Sequence, residues 1–287
     1  MGITHRAMPQ IGLGTYRLEG QSAYQTVLTA IELGFRHIDT AQFYGNEREV
    51  GQAVKDSGVS RSELFITTKV WWDKLRPNDF IRSVESSLMR LGLDYVDLLL
   101  VHWPSPNNQV PMAEYLAALK QAKLKGFTLE IGVSNFTIAQ LKQAQAILAP
   151  EVLYTNQVEV HPYHGNHMLI EYCHQHQIHV TGYMPLARGK VLAEPVIVDL
   201  AKKYQRTESQ IVIAWCLLNG ITTIPSSSKR AHLADNLAAM DLALSPADVA
   251  KINDLNRNQK MTNPDFSPAW DKDVLESLDE SSQMDCA

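Results

Sequence analysis

Only three of the 287 residues are cysteine, and Cys173, Cys216 and Cys286 fall at unrelated spacings. An odd count without a pattern argues against a disulfide framework and for a reducing compartment. Charge of one sign is not in excess either. There are 26 basic and 31 acidic residues, a formal net charge of −5, and no basic stripe that would attract nucleic acid. No stretch approaches the ~18 uninterrupted apolar residues of a membrane helix. The opening MGITHRAMPQIGLG has no apolar signal core. A cytoplasmic, monomeric protein with neither nucleic-acid nor membrane partner is expected. No G-x-G-x-x-G turn follows the first strand candidate, so the usual dinucleotide cradle is missing. Nucleophile elbows and zinc-binding helix motifs are missing too, and no metal is expected. His174 and His176, two residues apart, cannot share a helix face and read as surface residues.

What is present is ordinary for a large globular core: 45% hydrophobic and 20% charged residues, unlike a disordered chain. Short β-rich runs alternate with longer helical ones. Strands are expected at 11–15, 36–41, 64–70, 96–102, 130–134, 155–160, 179–184 and 222–225. Several, such as VDLLLVH, are almost continuously apolar, as parallel strands buried on both faces are. Helical spacing fills 24–33, 80–91, 112–125, 137–148, 168–176, 208–218, 233–239 and 246–256. Ser245 followed by Pro246 is a helix start. Eight strand–helix units predict a single-domain (β/α)₈ barrel over residues 1–270. Residues 271–287 form an acidic tail: from Lys272 onward one Lys faces five acids, nearly all of the net charge.

Catalysis in such barrels sits at the C-terminal ends of the strands. Those ends carry Asp39, Gln42, Tyr44 and Glu47; Lys69; His102; Ser134 and Asn135; Asn156, Gln157, Glu159 and His161; and Tyr183. A carboxylate, a phenol, an ammonium and an imidazole thus rim one mouth, which suggests proton transfer through the phenol. A tyrosine ordinarily titrates near ~10. A lysine beside it stabilises phenolate and lowers that value. Asp39 would hold the ammonium, and His102 would orient a substrate oxygen. Tyr16, Phe43, Trp71, Trp72, Trp103 and Met184 are candidate pocket walls, Tyr16 and Trp103 foremost. The segments 103–111, 185–195 and 257–270 are candidate covers.

These residues resemble a known family. GFRHIDTAQFYGNEREVG (34–51), EIGVSNF (130–136) and IPSSSKRAHLADN (224–236) match, in order and spacing, motifs of the aldo-keto reductases. Among its members, the small bacterial reductases of 2,5-diketo-D-gluconate and methylglyoxal are the most alike. The resemblance implies reduction of small aldehydes and ketones with NADPH. Tyr44 would be the general acid, Lys69 and Asp39 its tuning pair, and His102 the group that positions the carbonyl. Ser134, Asn135 and Gln157 would hold the nicotinamide carboxamide, and Tyr183 would stack on the ring. Leu186 and the segment with Pro225, Ser226, Ser227, Ser228, Lys229, Arg230, His232 and Asn236 would carry the pyrophosphate and adenosine end.

The chain departs from the family pattern at three places. Ser226 and His232 replace the Lys and Arg that usually meet the 2′-phosphate. The basic Lys229 and Arg230 stand nearby, so a weakened NADPH preference is expected. Leu129 replaces a basic residue, and the short segment before Ile11 implies a reduced N-terminal hairpin. Two other functions fit the same residues: a redox-silent NADPH-binding regulatory barrel, and an isomerase or aldolase in which Lys69 forms a Schiff base.

Overall fold

The computed structural model describes residues 7–271. The acidic tail from Lys272 and residues 1–6 of the expected hairpin lie outside the described residues. Eight strands, β1 (Leu13–Gly14), β2 (His37–Asp39), β3 (Phe65–Val70), β4 (Val96–Val101), β5 (Thr128–Ser134), β6 (Thr155–Glu159), β7 (His179–Tyr183) and β8 (Ile221–Thr223), form one sheet in chain order. Every pairing is parallel. A parallel bridge from Ile11 to Thr223 joins the last strand to the first. At this seam Gly12 N donates to Thr223 O at 2.9 Å and Gly14 N to Pro225 O at 3.2 Å. Gly14 is required there, because a Cβ would meet the Ile224 carbonyl oxygen at 2.6 Å.

The helices are α1 (Gly20–Leu33), α2 (Glu47–Asp56), α3 (Pro77–Leu91), α4 (Met112–Leu124), α5 (Ile138–Leu148), α6 (His167–Gln175), α7 (Pro195–Tyr204), α8 (Glu208–Leu218), α9 (Arg230–Ala238) and α10 (Pro246–Asn253). They cover the outside of the sheet, so all six residues of both β3 and β4 are buried. Capping boxes start α5 (Thr137 with Gln140) and α8 (Thr207 with Gln210), each satisfying two end amides.

Two of these helices, α2 and α7, are absent from the sequence-based reading. In α2, Gly51 resembles a breaker, but a Cβ there would meet Leu91 O at 2.0 Å. The glycine lets α2 lie against the end of α3. In α7, Pro195 takes the first helical position and the β-branched Val196, Ile197 and Val198 imitate a strand.

Strand periodicity positions the site. Side chains alternate across a strand, so residues two apart share the barrel interior. Phe65, Leu98 and Leu100 pack with Met8 near the floor. Higher on the same strands stand Lys69 and His102, with Asp39, Gln157 and Tyr183 on β2, β6 and β7.

Candidate active site

Tyr44 ends the short 3₁₀ turn Gln42–Tyr44 that follows β2. The turn is held by Gln42, whose Nε2 donates to Ser83 and Ser87 Oγ at 3.1 Å each. Gln42 Oε1 accepts from Trp71 N at 3.2 Å. Glu47, also at this strand end, is buried and pairs with Arg90 while accepting from Thr68 Oγ1 at 2.6 Å. Gln42 and Glu47 therefore brace the turn through α3 and β3.

The Lys69 ammonium is fully buried and has three partners. It donates to Asp39 Oδ1, to Thr40 O at 2.9 Å and to the Tyr44 hydroxyl at 3.2 Å. The second Asp39 oxygen accepts from Gln157 Nε2 at 2.7 Å. Burial alone would lower the Lys69 pKa. Asp39 and Tyr44 outweigh it and hold the value above its ordinary 10.5, so the group is an ammonium. For Tyr44 the balance differs from the sequence expectation. Lys69 does pull its pKa down, but burial pushes harder, and the phenol stays above its ordinary 10.0. The hydroxyl is a loaded donor.

His102 follows β4, its ring edge-on to Tyr44 with centroids 5.7 Å apart. Burial, then the charge of Lys69, hold its pKa well below 6.5. The imidazole is neutral, and its buried Nδ1 has no hydrogen-bond partner among the described residues. Asn135 Nδ2 donates to His102 O at 3.0 Å and to Ser134 Oγ at 3.1 Å. The Tyr183 hydroxyl donates to Asn135 Oδ1 at 2.8 Å. Ser134, Asn135 and Tyr183 are thus hydrogen-bonded to one another and to the His102 main chain, whereas Asn156 donates to Phe136 O at 2.9 Å and Glu159 pairs with His161 at 2.9 Å.

A cavity of about 1010 Å³ opens above Asp39, Tyr44 and His102. All six candidate wall residues line it, Tyr16 and Trp103 included, and so do Leu186, Pro225 and Ser226. Phe43 stacks on Trp71 at 4.0 Å. Phe266, from the covering segment, closes the aromatic side at 5.4 Å from Trp103 and 5.9 Å from Trp71. The segment 257–270 is recognisable in the sequence as a cover, but Phe266 itself is not, since its only signal is an aromatic beyond the last barrel strand. Ser227, Ser228, Lys229, Arg230, His232 and Asn236 do not line the cavity but continue from its Ser226 edge into α9. Arg230 is ion-paired with Glu32 of α1 at 2.9 Å. A smaller cavity of about 370 Å³, at Glu130, Glu151 and His179, lies by the opposite ends of the strands.

A proton donor wired to a buried ammonium, facing an apolar cavity on a (β/α)₈ barrel, defines a carbonyl oxidoreductase. The chain belongs to the aldo/keto reductase family, whose model matches residues 10–257. It is 47% identical over 266 residues to methylglyoxal reductase DkgB of Yersinia pestis, covering 92% of this chain and 100% of that protein. Among solved structures, it resembles a protein provisionally named 2,5-diketo-D-gluconic acid reductase B, at TM-score 0.89 and 37% identity over 92% of this chain and 94% of that one. It also resembles a Bombyx mori aldo-keto reductase in complex with NADP, at TM-score 0.84 and 31% identity over 91% and 95%.

Proposed function

We propose that the protein reduces small aldehydes and ketones to alcohols with NADPH, taking 2-oxoaldehydes such as methylglyoxal and keto-sugar acids such as 2,5-diketo-D-gluconate. The observation that carries this reading is the hydrogen-bonded chain Gln157–Asp39–Lys69–Tyr44 ending at an open cavity.

The residues present fit a nicotinamide cofactor. Ser134, Asn135 and Gln157 offer a hydroxyl and two amides, the donor and acceptor set a carboxamide requires. Tyr183 offers a half-buried ring at the cavity, suited to lie against the nicotinamide. Leu186, Pro225 and Ser226 would follow the cofactor outward, and the segment from Ser227 to Asn236 would meet its adenosine phosphate. When bound, the cofactor supplies the hydride.

The protein supplies the proton and the geometry. His102, neutral, would donate a hydrogen bond to the carbonyl oxygen and hold it near Tyr44. The Tyr44 hydroxyl would release its proton as negative charge grows on that oxygen. Lys69 stabilises the phenolate left behind, and Asp39 with Gln157 keeps the ammonium in place. The burial of Lys69 and Asp39 beneath the cavity strengthens their interactions.

The competing roles fit less well. A Schiff base needs a neutral amine, whereas Lys69 is paired and charged. A redox-silent barrel would not need a complete proton relay at an open pocket. The buried Cys173 and Cys216 thiols, both pushed up to about 12 by burial, have no part in the chemistry. We also take the protein to be a cytoplasmic monomer.

The test is NADPH absorbance with methylglyoxal, 2,5-diketo-D-gluconate and simple aldehydes, for wild type and Tyr44→Phe. The expected outcome is multiple turnover in wild type, and a ~10²–10⁴-fold lower kcat in the variant with NADPH affinity kept. Tight NADPH binding with less than one turnover would favour the sensor.

A further inference from the structure

Glu159 ends β6, two residues beyond Gln157, and nothing in the reduction uses it. Its side chain is fully buried without a Lys or Arg on its carboxylate oxygens among the described ion pairs. Instead it is surrounded by N–H groups. Oε1 accepts from Met261 N at 2.5 Å and lies 2.9 Å from His161 Nε2. Oε2 accepts from Thr262 N at 2.9 Å. Burial would raise its pKa, but His161, the Met261 amide and the charge of Lys260 outweigh burial and keep the carboxyl ionised. A buried carboxylate is tolerated only when its lone pairs are satisfied in this way.

The two amides belong to the segment after α10, residues 257–271, which crosses the mouth as a strap. One end is fixed by Arg257 N and Gln259 N donating to Tyr163 O at 3.2 and 2.9 Å. The other is fixed by Asp271, which accepts from Ile138 N at the start of α5 at 2.8 Å. Glu159 grips the strap between these ends. Four residues beyond Thr262, Phe266 reaches Trp103, Trp71 and Trp72 at 5.4, 5.9 and 5.5 Å. Phe266, carried by the strap, completes the aromatic box beside His102.

Resting on the carbonyl-reductase reading, we propose that Glu159 is a positioning residue for substrate selection. By fixing the strap it seats Phe266, and so sets how well the enzyme takes carbonyl compounds with an aromatic substituent relative to small ones. A flat ring gains contact area and edge-to-face geometry from the box. A three-carbon 2-oxoaldehyde is held at the Tyr44–His102 end and has no group to place there.

Methylglyoxal and phenylglyoxal separate these contributions because both carry the same dicarbonyl head. Glu159→Gln turns one acceptor oxygen into an NH₂ that opposes a strap amide. The expected result is a ~10-fold or larger rise in KM for phenylglyoxal, about 1.4 kcal/mol or more. kcat for both substrates and KM for methylglyoxal should stay within about twofold. Phe266→Ala should give the same pattern for phenylglyoxal. The double variant should be no worse than Phe266→Ala alone, since the two changes remove one interaction. Should Glu159→Gln fail to fold, Thr262→Pro deletes one donor from the strap side and carries the same expectation. Equal losses for both substrates, a loss confined to kcat, or additive effects would overturn the proposal. Failure of wild type to oxidise NADPH with either substrate would instead overturn the carbonyl-reductase reading.

Discussion

At the scale of single residues, the site is arranged around two groups that do not titrate where their free side chains do. His102 is neutral because its surroundings are dry and Lys69 is charged nearby. Tyr44 is protonated because burial outweighs the pull of Lys69. The signs give a pH profile. His102 has its protonation displaced far below 6.5, so kcat/KM for reduction should show no inflection between pH 6 and 8. The donor is lost only as pH rises past a Tyr44 value above 10, so the descending limb lies on the alkaline side. Initial rates from pH 5.5 to 10.5 check this. A break near 6.5 that disappears in His102→Gln would count against it. Asp39, Lys69 and His102 are legible in the sequence because each stands at or just after the end of a recognisable strand, and Tyr44 because it lies on the short turn that follows Asp39. The second task of Gln157 is not. Its amide reaches Asp39 across 118 positions of chain, a contact no local pattern encodes.

At the scale of elements, we expect the loop from β8 into α9 to set which cofactor the proposed site prefers. Lys229 is the cap residue of α9, and its N–H donates to Ser227 Oγ at 3.2 Å. Ser227 Oγ also lies 3.4 Å from His232 Nδ1. Free amides at the first turn and an exposed lysine make a plausible seat for a 2′-phosphate. Arg230, next in line, is engaged by Glu32, and that exposed pair is weak enough to be exchanged for a phosphate at small cost. Lys229→Ala should therefore weaken NADPH binding about tenfold, consistent with one lost charge-assisted hydrogen bond of ~1.5 kcal/mol. Arg230→Ala should weaken it less, and both should leave NADH nearly unchanged. Fluorescence titration of the two cofactors checks the order. Wild type binding NADH as tightly as NADPH would show that Ser226 and His232 outweigh the basic pair. The order of strands and most helices could be read from periodicity. The two missed helices have different causes: in α2, Gly51 is explained by its tertiary contact with Leu91, whereas in α7 the β-branched Val196–Val198 masks the local helix start at Pro195.

At the scale of the molecule, the floor of the site is the filled interior of the barrel, and that interior contains a histidine. His37 is fully buried on β2, two residues before Asp39. Its Nε2 is 3.2 Å from Thr67 Oγ1, and its ring meets Phe65 edge-on at 5.2 Å. Burial lowers its pKa from 6.5 to about 4; Asp39 opposes the shift and Lys69 adds to it. Unfolded chains therefore bind a proton that the folded barrel refuses between pH 6.5 and about 4. The His37 contribution to stability is therefore expected to fall as pH drops through that window and to rise as pH increases through it. The difference between 6.5 and about 4 corresponds to ~3 kcal/mol for this fully buried group. That is a large share of the 5–15 kcal/mol typical of a folded protein. Urea unfolding at pH 7, 6, 5 and 4.5 should show the loss. His37→Gln keeps a polar group near Thr67 and removes the titration, so it should be less stable than wild type at pH 7 but less sensitive to acid. His102, lowered in the same direction, would leave part of the slope in place. A variant whose stability falls with acid as steeply as wild type would mean that the barrel interior admits the proton.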